Sequence, residues 1–189
     1  MMRRMLLPTL LLVLALAGCG SSPKTQFIVL SQQPGPAVAA GGRPIDVRNV
    51  IIPGAIDRQE LVRANGPNGV RIDDIYRWAG PLDQMIQTTL AADLASRLPS
   101  GMVLMPGDPV PNDAQGVALT VDRFLDEGGG RVVLVADWSL LRGSDQHVVQ
   151  RQRSHITVAA PGDGGQAIAA AMSRALGQLA DRMASAIGG

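Results

Sequence analysis

Val117-Ala118-Leu119-Thr120-Val121-Asp122-Arg123-Phe124 and Arg131-Val132-Val133-Leu134-Val135-Ala136-Asp137-Trp138-Ser139-Leu140-Leu141 stand on either side of Asp126-Glu127-Gly128-Gly129-Gly130, and this stretch decides the fold. The two flanks read as the best strands of the chain. In the second, Val132, Leu134, Ala136, Trp138 and Leu140 recur with period two, so one side of the strand is apolar and packs on helices. Gly128-Gly129-Gly130 reads as a hairpin turn: a phosphate-binding loop requires Gly-Lys-Ser/Thr and a helix after it, and here a strand follows.

Downstream, Gln146 to Val158 is a third partner after the turn Gly143-Ser144-Asp145. Gly162-Asp163-Gly164-Gly165 then leads into a last helix, with Ile168, Met172, Leu176, Leu179, Met183 and Ile187 along one side. Upstream, Gly80-Pro81 opens the clearest helix. Pro81 suits the first helical position, and Asp83 sits in the first turn, facing the positive end of the helix dipole. Leu82, Met85, Ile86, Leu90, Leu94 and Leu98 form its core stripe, and Pro99-Ser100-Gly101 ends it. Met102 to Met105 reads as a short strand.

Nearer the N-terminus, Gln26 to Leu30 and Pro44 to Val50 read as strands, joined by an exposed Pro- and Gly-rich connection from Pro34 to Pro44. Glu60 to Ala64 and Val70 to Asp73 flank Asn65-Gly66-Pro67-Asn68-Gly69, whose Asn and Gly residues tolerate the positive φ angles of a hairpin loop. The expected architecture is a single α/β domain of the α+β type. Its sheet is mixed and mostly antiparallel, and it packs against two long helices. No internal repeat is present at a fixed period.

Arg3 and Arg4, the apolar run Met5 to Ala17 and the small residues after it have the order of a secretory leader. The run is shorter than the about 20 apolar residues that a spanning helix needs, and no other segment approaches that length. Leu16-Ala17-Gly18-Cys19 ends the leader and holds the only cysteine. It resembles the lipobox of bacterial lipoproteins, which implies cleavage between Gly18 and Cys19 and acylation of Cys19. A multiply acylated cysteine anchors stably, since each buried methylene adds about 0.8 kcal/mol of membrane affinity. Gly20 and Ser21 stand where an inner-membrane lipoprotein typically carries Asp. That similarity implies the outer membrane of a Gram-negative bacterium, with the domain facing the periplasm. The expected division is residues 1–18 as signal peptide, 19–44 as lipidated tether with the first short strand and the Pro/Gly-rich connection, and 45–189 as the remainder of the domain.

The 189 residues include 17 Lys and Arg against 16 Asp and Glu; the leader takes Arg3 and Arg4, leaving 15 basic residues against the same 16 acids. Charges are mixed along the chain, which argues against nucleic acid as a partner. With Cys19 acylated no disulfide remains, and with 3% aromatic residues the core is aliphatic.

Candidate chemistry is sparse. His147 and His155, the only histidines, share one face of a strand with Arg151 and Arg153, while Gln150, Gln152 and Ser154 occupy the other. This reads as a solvated sheet edge, with contact to lipid phosphate or an acidic partner as the alternative. Two histidines without a cysteine do not make a zinc site, and Ser154 beside His155 lies on opposite faces of the strand, so catalytic and metal residues are expected to be none, and cofactors none. Asp57-Arg58, Asp73-Asp74 and Arg77 read as ion pairs pinning a loop, and Trp78 as a core or interface anchor.

Two segments carry more: Ile52-Pro53-Gly54-Ala55-Ile56-Asp57-Arg58-Gln59-Glu60-Leu61-Val62, and Tyr76-Arg77-Trp78-Ala79-Gly80-Pro81-Leu82-Asp83. With Phe27-Ile28-Val29-Leu30 and Arg123-Phe124, they resemble the ABC-type transport auxiliary lipoprotein family, the PqiC-like proteins. Departures are Glu60 following Gln59 without the family's proline, Gly80 where acids are common, and Phe27-Ile28 in place of a Tyr-Thr pair. The resemblance implies a non-enzymatic component of an MCE-type lipid transport system, held at the outer membrane and docking the assembly. Its partners would be an MCE-domain protein and an ABC permease and ATPase, with a homo-oligomer left open. Asp57, Arg58, Gln59, Arg77 and Trp78 are the motif residues that would brace the domain or meet a partner. The alternatives are a lipoprotein that builds or braces the envelope without moving lipid and, more remotely, a small periplasmic hydrolase.

Overall fold

Gly128, Gly129 and Gly130 take φ angles of +83°, +64° and +68°, and the Glu127 amide donates to the Arg131 carbonyl at 2.8 Å. Three consecutive left-handed residues are cheap only for glycine, which is why this turn is built from nothing else. The structure, a computed structural model, describes residues 24–142 and 145–189. The leader with Gly18 and Cys19, the tether to residue 23 and Gly143-Ser144 of the expected turn lie outside the described residues.

The elements are β1 (Gln26–Ile28), β2 (Ile45–Ile51), β3 (Glu60–Ala64), β4 (Val70–Trp78), α1 (Leu82–Ala95), β5 (Val103–Leu104), β6 (Gln115–Asp126), β7 (Arg131–Arg142), β8 (His147–Ala159) and α2 (Gly165–Gly188). The eight strands among the described residues join one sheet. β6 is its spine. One edge of β6 pairs along its length with β7, which pairs with β8. The other edge is shared, with β2 alongside the first half and β3 meeting it only at Arg63–Asp126. β5 extends the β2 branch, while β4 and then β1 extend the β3 branch.

The expectation of a mostly antiparallel sheet is corrected here. Four of the seven pairings among the described residues, β1–β4, β2–β5, β2–β6 and β3–β6, are parallel. The antiparallel ones are the hairpin-linked pairs β3–β4, β6–β7 and β7–β8. Parallel partners need a crossover rather than a tight turn, and between β2 and β6 lie a hairpin, α1 and β5. The helix expectation also holds only in part, since α2 has 24 residues but α1 only 14. Pro81 is the N-cap of α1, one position earlier than expected.

Both helices cover one face of the sheet, α1 over β2 and α2 over β7 and β8, and they pack on each other. Leu82, Ile86, Leu90 and Leu94 of α1 are buried against Val117, Leu119 and Val121 of β6, the period-two face of β7, and Ile168, Met172, Leu176, Leu179 and Met183 of α2. In β6 the inward parity changes: Val121 faces the core, and a bulge between Val121 and Arg123 turns Phe124 and Asp126 inward instead of Arg123.

The segment from Ser31 to Ala40 crosses the helices as a strap. Its backbone passes so close to α2 that a Cβ on Gly177 would lie 2.7 Å from that of Gln33. Although this connection is largely exposed, as the sequence suggests, it is pinned, with the Val38 amide donating to the Arg97 carbonyl at 2.7 Å.

Candidate functional site

Ile52 to Gln59 leaves β2 and enters β3 through a turn closed by the Ile56 and Asp57 amides, which donate to the Pro53 carbonyl at 3.0 and 3.2 Å. Ile56 is buried, and the following Asp57, Arg58 and Gln59 are exposed. β3 then pairs with the end of β4, setting Glu60 opposite Arg77, and the Trp78 amide donates to the Gln59 carbonyl at 2.7 Å. The backbone ladder thus brings the two motif segments together. Arg77 and Trp78 end the strand, and Trp78 is 1% exposed, a core residue.

On the outside of this junction Arg58 Nε donates to Glu60 Oε2 at 3.0 Å. That hydrogen bond, together with the nearby Arg77 charge, holds the Glu60 carboxyl below its usual value. Arg77 Nε is buried and has no hydrogen-bond partner. Asp57, Arg58 and Gln59 form one wall of an open cleft of about 290 Å³, and Gly80, Pro81 and Leu82 at the start of α1 form the other. A second cleft of about 330 Å³ shares Gly80 and Pro81 and runs on past Val29, Leu30 and Met85. A shallow, mixed surface of this kind suits recognition of another macromolecule better than enclosure of a small substrate.

Two buried charge clusters escaped the sequence reading. Arg63 is 6% exposed and its guanidinium joins three elements. Nε and Nη2 donate to Asp73 Oδ2 at 3.2 and 2.9 Å, while Nη1 donates to Asp126 Oδ2 at 3.3 Å and to the Asp163 carbonyl at 2.7 Å, just ahead of α2. Burial raises the Asp73 carboxyl, but the amides of Tyr76 and Ile75 and the Arg63 guanidinium outweigh it, leaving the group below its usual value. Asp73 is therefore an ion-pair residue as expected, with Arg63 as its partner.

The second cluster holds the strap. Asp93 in the last turn of α1 and Arg97 just beyond its C-cap are both buried. Asp93 Oδ1 accepts from the Gln33 amide at 2.6 Å. Arg97 donates to Asp181 Oδ1 at 2.6 Å and to the carbonyls of Gln33, Asp93 and Gly177. The Ser31 amide donates to Ser173 Oγ at 3.0 Å. The signal that could have revealed this cluster is the Asp93–Arg97 spacing beside the Leu90, Leu94 and Leu98 stripe, where a charge cannot remain solvated.

Among the described residues β8 is a sheet edge, and on its basic face Arg153 is charge-paired with Asp122 and Asp137, while Arg151 Nε donates to the Ser139 hydroxyl at 3.3 Å. His147 and His155 are exposed. Ser154 is buried on the opposite face, accepting from Trp138 Nε1 at 3.3 Å, so it does not meet His155. Among the described residues no group of three or more His, Cys, Asp or Glu side chains is placed to hold a metal, and no helix is long and apolar enough to cross a membrane.

The model of the ABC-type transport auxiliary lipoprotein component matches residues 29–184, from just after the first strand into the last turns of the second helix. The chain belongs to the ABC-type transport auxiliary lipoprotein family. Within it, the chain is similar to the intermembrane transport lipoprotein PqiC of Escherichia coli, 27% identical over 129 residues that cover 66% of this chain and 68% of that one. It matches the PqiC of Shigella flexneri to the same extent. Among solved structures, an uncharacterized protein superposes with a TM-score of 0.75 at 23% identity, covering 88% of this chain and 99% of its own. A protein from Xanthomonas campestris gives 0.70 at 19% identity, covering 87% and 95%. These two likenesses concern the fold. For this auxiliary lipoprotein the family match makes a transport-associated role the reading of the whole domain, with the 53–60 and 76–82 segments inside the matched region.

Proposed function

We propose that this lipoprotein is acylated at Cys19 after removal of residues 1–18, faces the periplasm from the outer membrane, and serves as the non-enzymatic auxiliary component of an MCE/ABC-type intermembrane lipid transport system. The observation that carries this reading is the family match over residues 29–184. Two further features support it. The Leu-Ala-Gly-Cys sequence closes an apolar leader, and the intermembrane transport lipoproteins PqiC are relatives. Its partners would be an MCE-domain protein with its permease and ATPase, and the exposed Asp57-Arg58-Gln59 edge of the cleft is the surface offered to them.

Cys19→Ala should abolish acylation and move the protein from the membrane fraction to the soluble periplasm with its fold intact. Lipid labelling and flotation check this, and a variant that stays membrane-bound and labelled would overturn the lipobox reading. Arg58→Ala tests the docking edge. The Arg58–Glu60 pair is exposed, and such pairs contribute at most about 1 kcal/mol, so the melting temperature should hold within a few degrees. Recovery of the transporter in pull-downs from crosslinked membranes should drop at least tenfold. Undiminished recovery would remove Arg58 from the interface.

A further inference from the structure

Phe27 and Val29 are 61% and 57% exposed, an unusual state for a phenylalanine and a valine flanking two buried neighbours, Ile28 and Leu30. They stand on and just after β1, which among the described residues pairs only with β4 and forms one margin of the sheet. Phe27 lies in register with Arg77. Val29 continues the apolar surface into the cleft with Leu30, Pro81 and Met85, and Lys24, just before the strand, is exposed. The patch therefore combines an aromatic ring, aliphatic side chains and flanking cations, the composition that suits a membrane–water interface, where rings and methyls enter the acyl boundary and cations meet phosphates.

The chain outside the described residues indicates what covers this patch. Seven residue steps separate Cys19 from Gln26, and a fully extended chain covers at most about 25 Å in that distance. A folded domain of this size has a radius of gyration of about 15 Å and hence a diameter of about 40 Å. The tether is shorter than the domain it holds, so the pole that carries β1 stays nearest to the lipid that holds Cys19. Tethering of this kind sets an effective concentration in the millimolar range, at which a contact too weak to form in free solution becomes populated.

We propose that the face carrying Phe27 and Val29 rests on the phospholipid surface in which Cys19 is anchored, with Lys24 and Arg77 beside the lipid phosphates. This rests on the acylation of Cys19 proposed above. It orients the domain, since the clefts share Gly80 and Pro81, and puts the Asp57-Arg58-Gln59 loop at the margin of the bilayer. A transporter docking on that loop meets the lipoprotein at the level of the lipid it exchanges.

The test uses full-length acylated protein in phosphatidylethanolamine and phosphatidylglycerol vesicles, with an environment-sensitive dye on Phe27→Cys. Val148→Cys is the control, an exposed valine on β8. Because acylation blocks Cys19, each variant takes one dye. The expected result is a blue shift at position 27 and at least twofold quenching by brominated acyl chains, with neither at position 148. Equal responses at the two positions, or a blue shift at 27 that brominated lipid does not quench, would overturn the proposal; the latter result indicates a protein neighbour or a second copy. Two dyes per chain and failure to float with vesicles would instead show that Cys19 is not acylated, and the proposal would fall with that reading.

Discussion

Arg63→Met is expected to lower the unfolding free energy by about 3–5 kcal/mol, the cost of removing one partner from a buried charge cluster, and the melting temperature by roughly 10 °C for a domain of this length. The exchange leaves Asp73 Oδ2, Asp126 Oδ2 and the Asp163 carbonyl without the donors they share, in surroundings where side-chain exposure is 14% for Asp73 and 8% for Asp126. The damage comes from the carboxylates left behind, because a buried ion pair by itself adds little net stability. A triple variant, Arg63→Met with Asp73→Asn and Asp126→Asn, should therefore recover part of the loss. Urea unfolding followed by fluorescence is well placed to measure this, since Trp78 and Trp138 are both buried. Arg153→Gln is the comparison: that arginine also bridges two aspartates, but on the open face of the sheet, and the change should stay within about 1 kcal/mol. A drop as small for Arg63 as for Arg153 would mean the cluster is solvated and does not tie the β3 branch to β6.

The contrast between these arginines separates buried charges that brace the fold from exposed ones that add little to it. The chain uses Arg63 and Arg97 to tie elements together and buries both. Around the cleft, Trp78 supports the junction from inside, while Asp57, Arg58 and Gln59 remain exposed. Within the motif, Trp78 braces from the core, and the exposed turn is the part on which the docking proposed above would fall.

Local pattern made much of this fold legible. The triple-glycine turn, the period-two face of β7, the leucine stripe of α1 and the Asn-Gly loop before β4 each declare their element within a dozen residues. The parallel pairings were not legible, because β2 and β6 are neighbours only after a crossover that no periodicity records. Nor was the bulge after Val121, which carries Asp126 to the inner face; counting by two from Val117 leaves that aspartate outside. The site divides along the same line. The motif segments were identifiable as sequence, yet their meeting depends on the β3–β4 register. Glu60, which pairs with Arg58 and faces Arg77, was visible only as a departure from the family pattern. Arg63, Asp93 and Arg97 were missed because single charged residues read as surface, and only the tertiary structure shows the partners that make their burial tolerable.

Asp93 provides the second large effect, and its sign is opposite to that of Asp73. Burial pushes its carboxyl up to about 6, against the Gln33 amide and the Arg97 charge and with some help from Asp181; Oδ2 is buried without a hydrogen-bond partner. A carboxyl raised in the folded state binds its proton more tightly there than in the unfolded chain. Its contribution is fully present below the unfolded value near 3.8 and is lost as pH rises through 6. The full span corresponds to roughly 3 kcal/mol at 1.36 kcal/mol per pKa unit, of which about 1–1.5 kcal/mol falls between pH 5 and pH 7.5. Asp73, held below its usual value, works the other way, and its contribution is lost only as pH falls below about 4. Asp93→Asn keeps a carbonyl for the Gln33 amide and removes the ionisation, so the variant should lose the decline between pH 5 and 7.5 that the parent shows, whatever its offset at a single pH. Amide exchange at Gln33 and Val38 should follow the same curve, slower at pH 5 than at pH 7.5 in the parent once intrinsic rates are removed, and unchanged in the variant. If the two proteins show parallel stability profiles across that interval, Asp93 is not the group that sets the pH response of the strap.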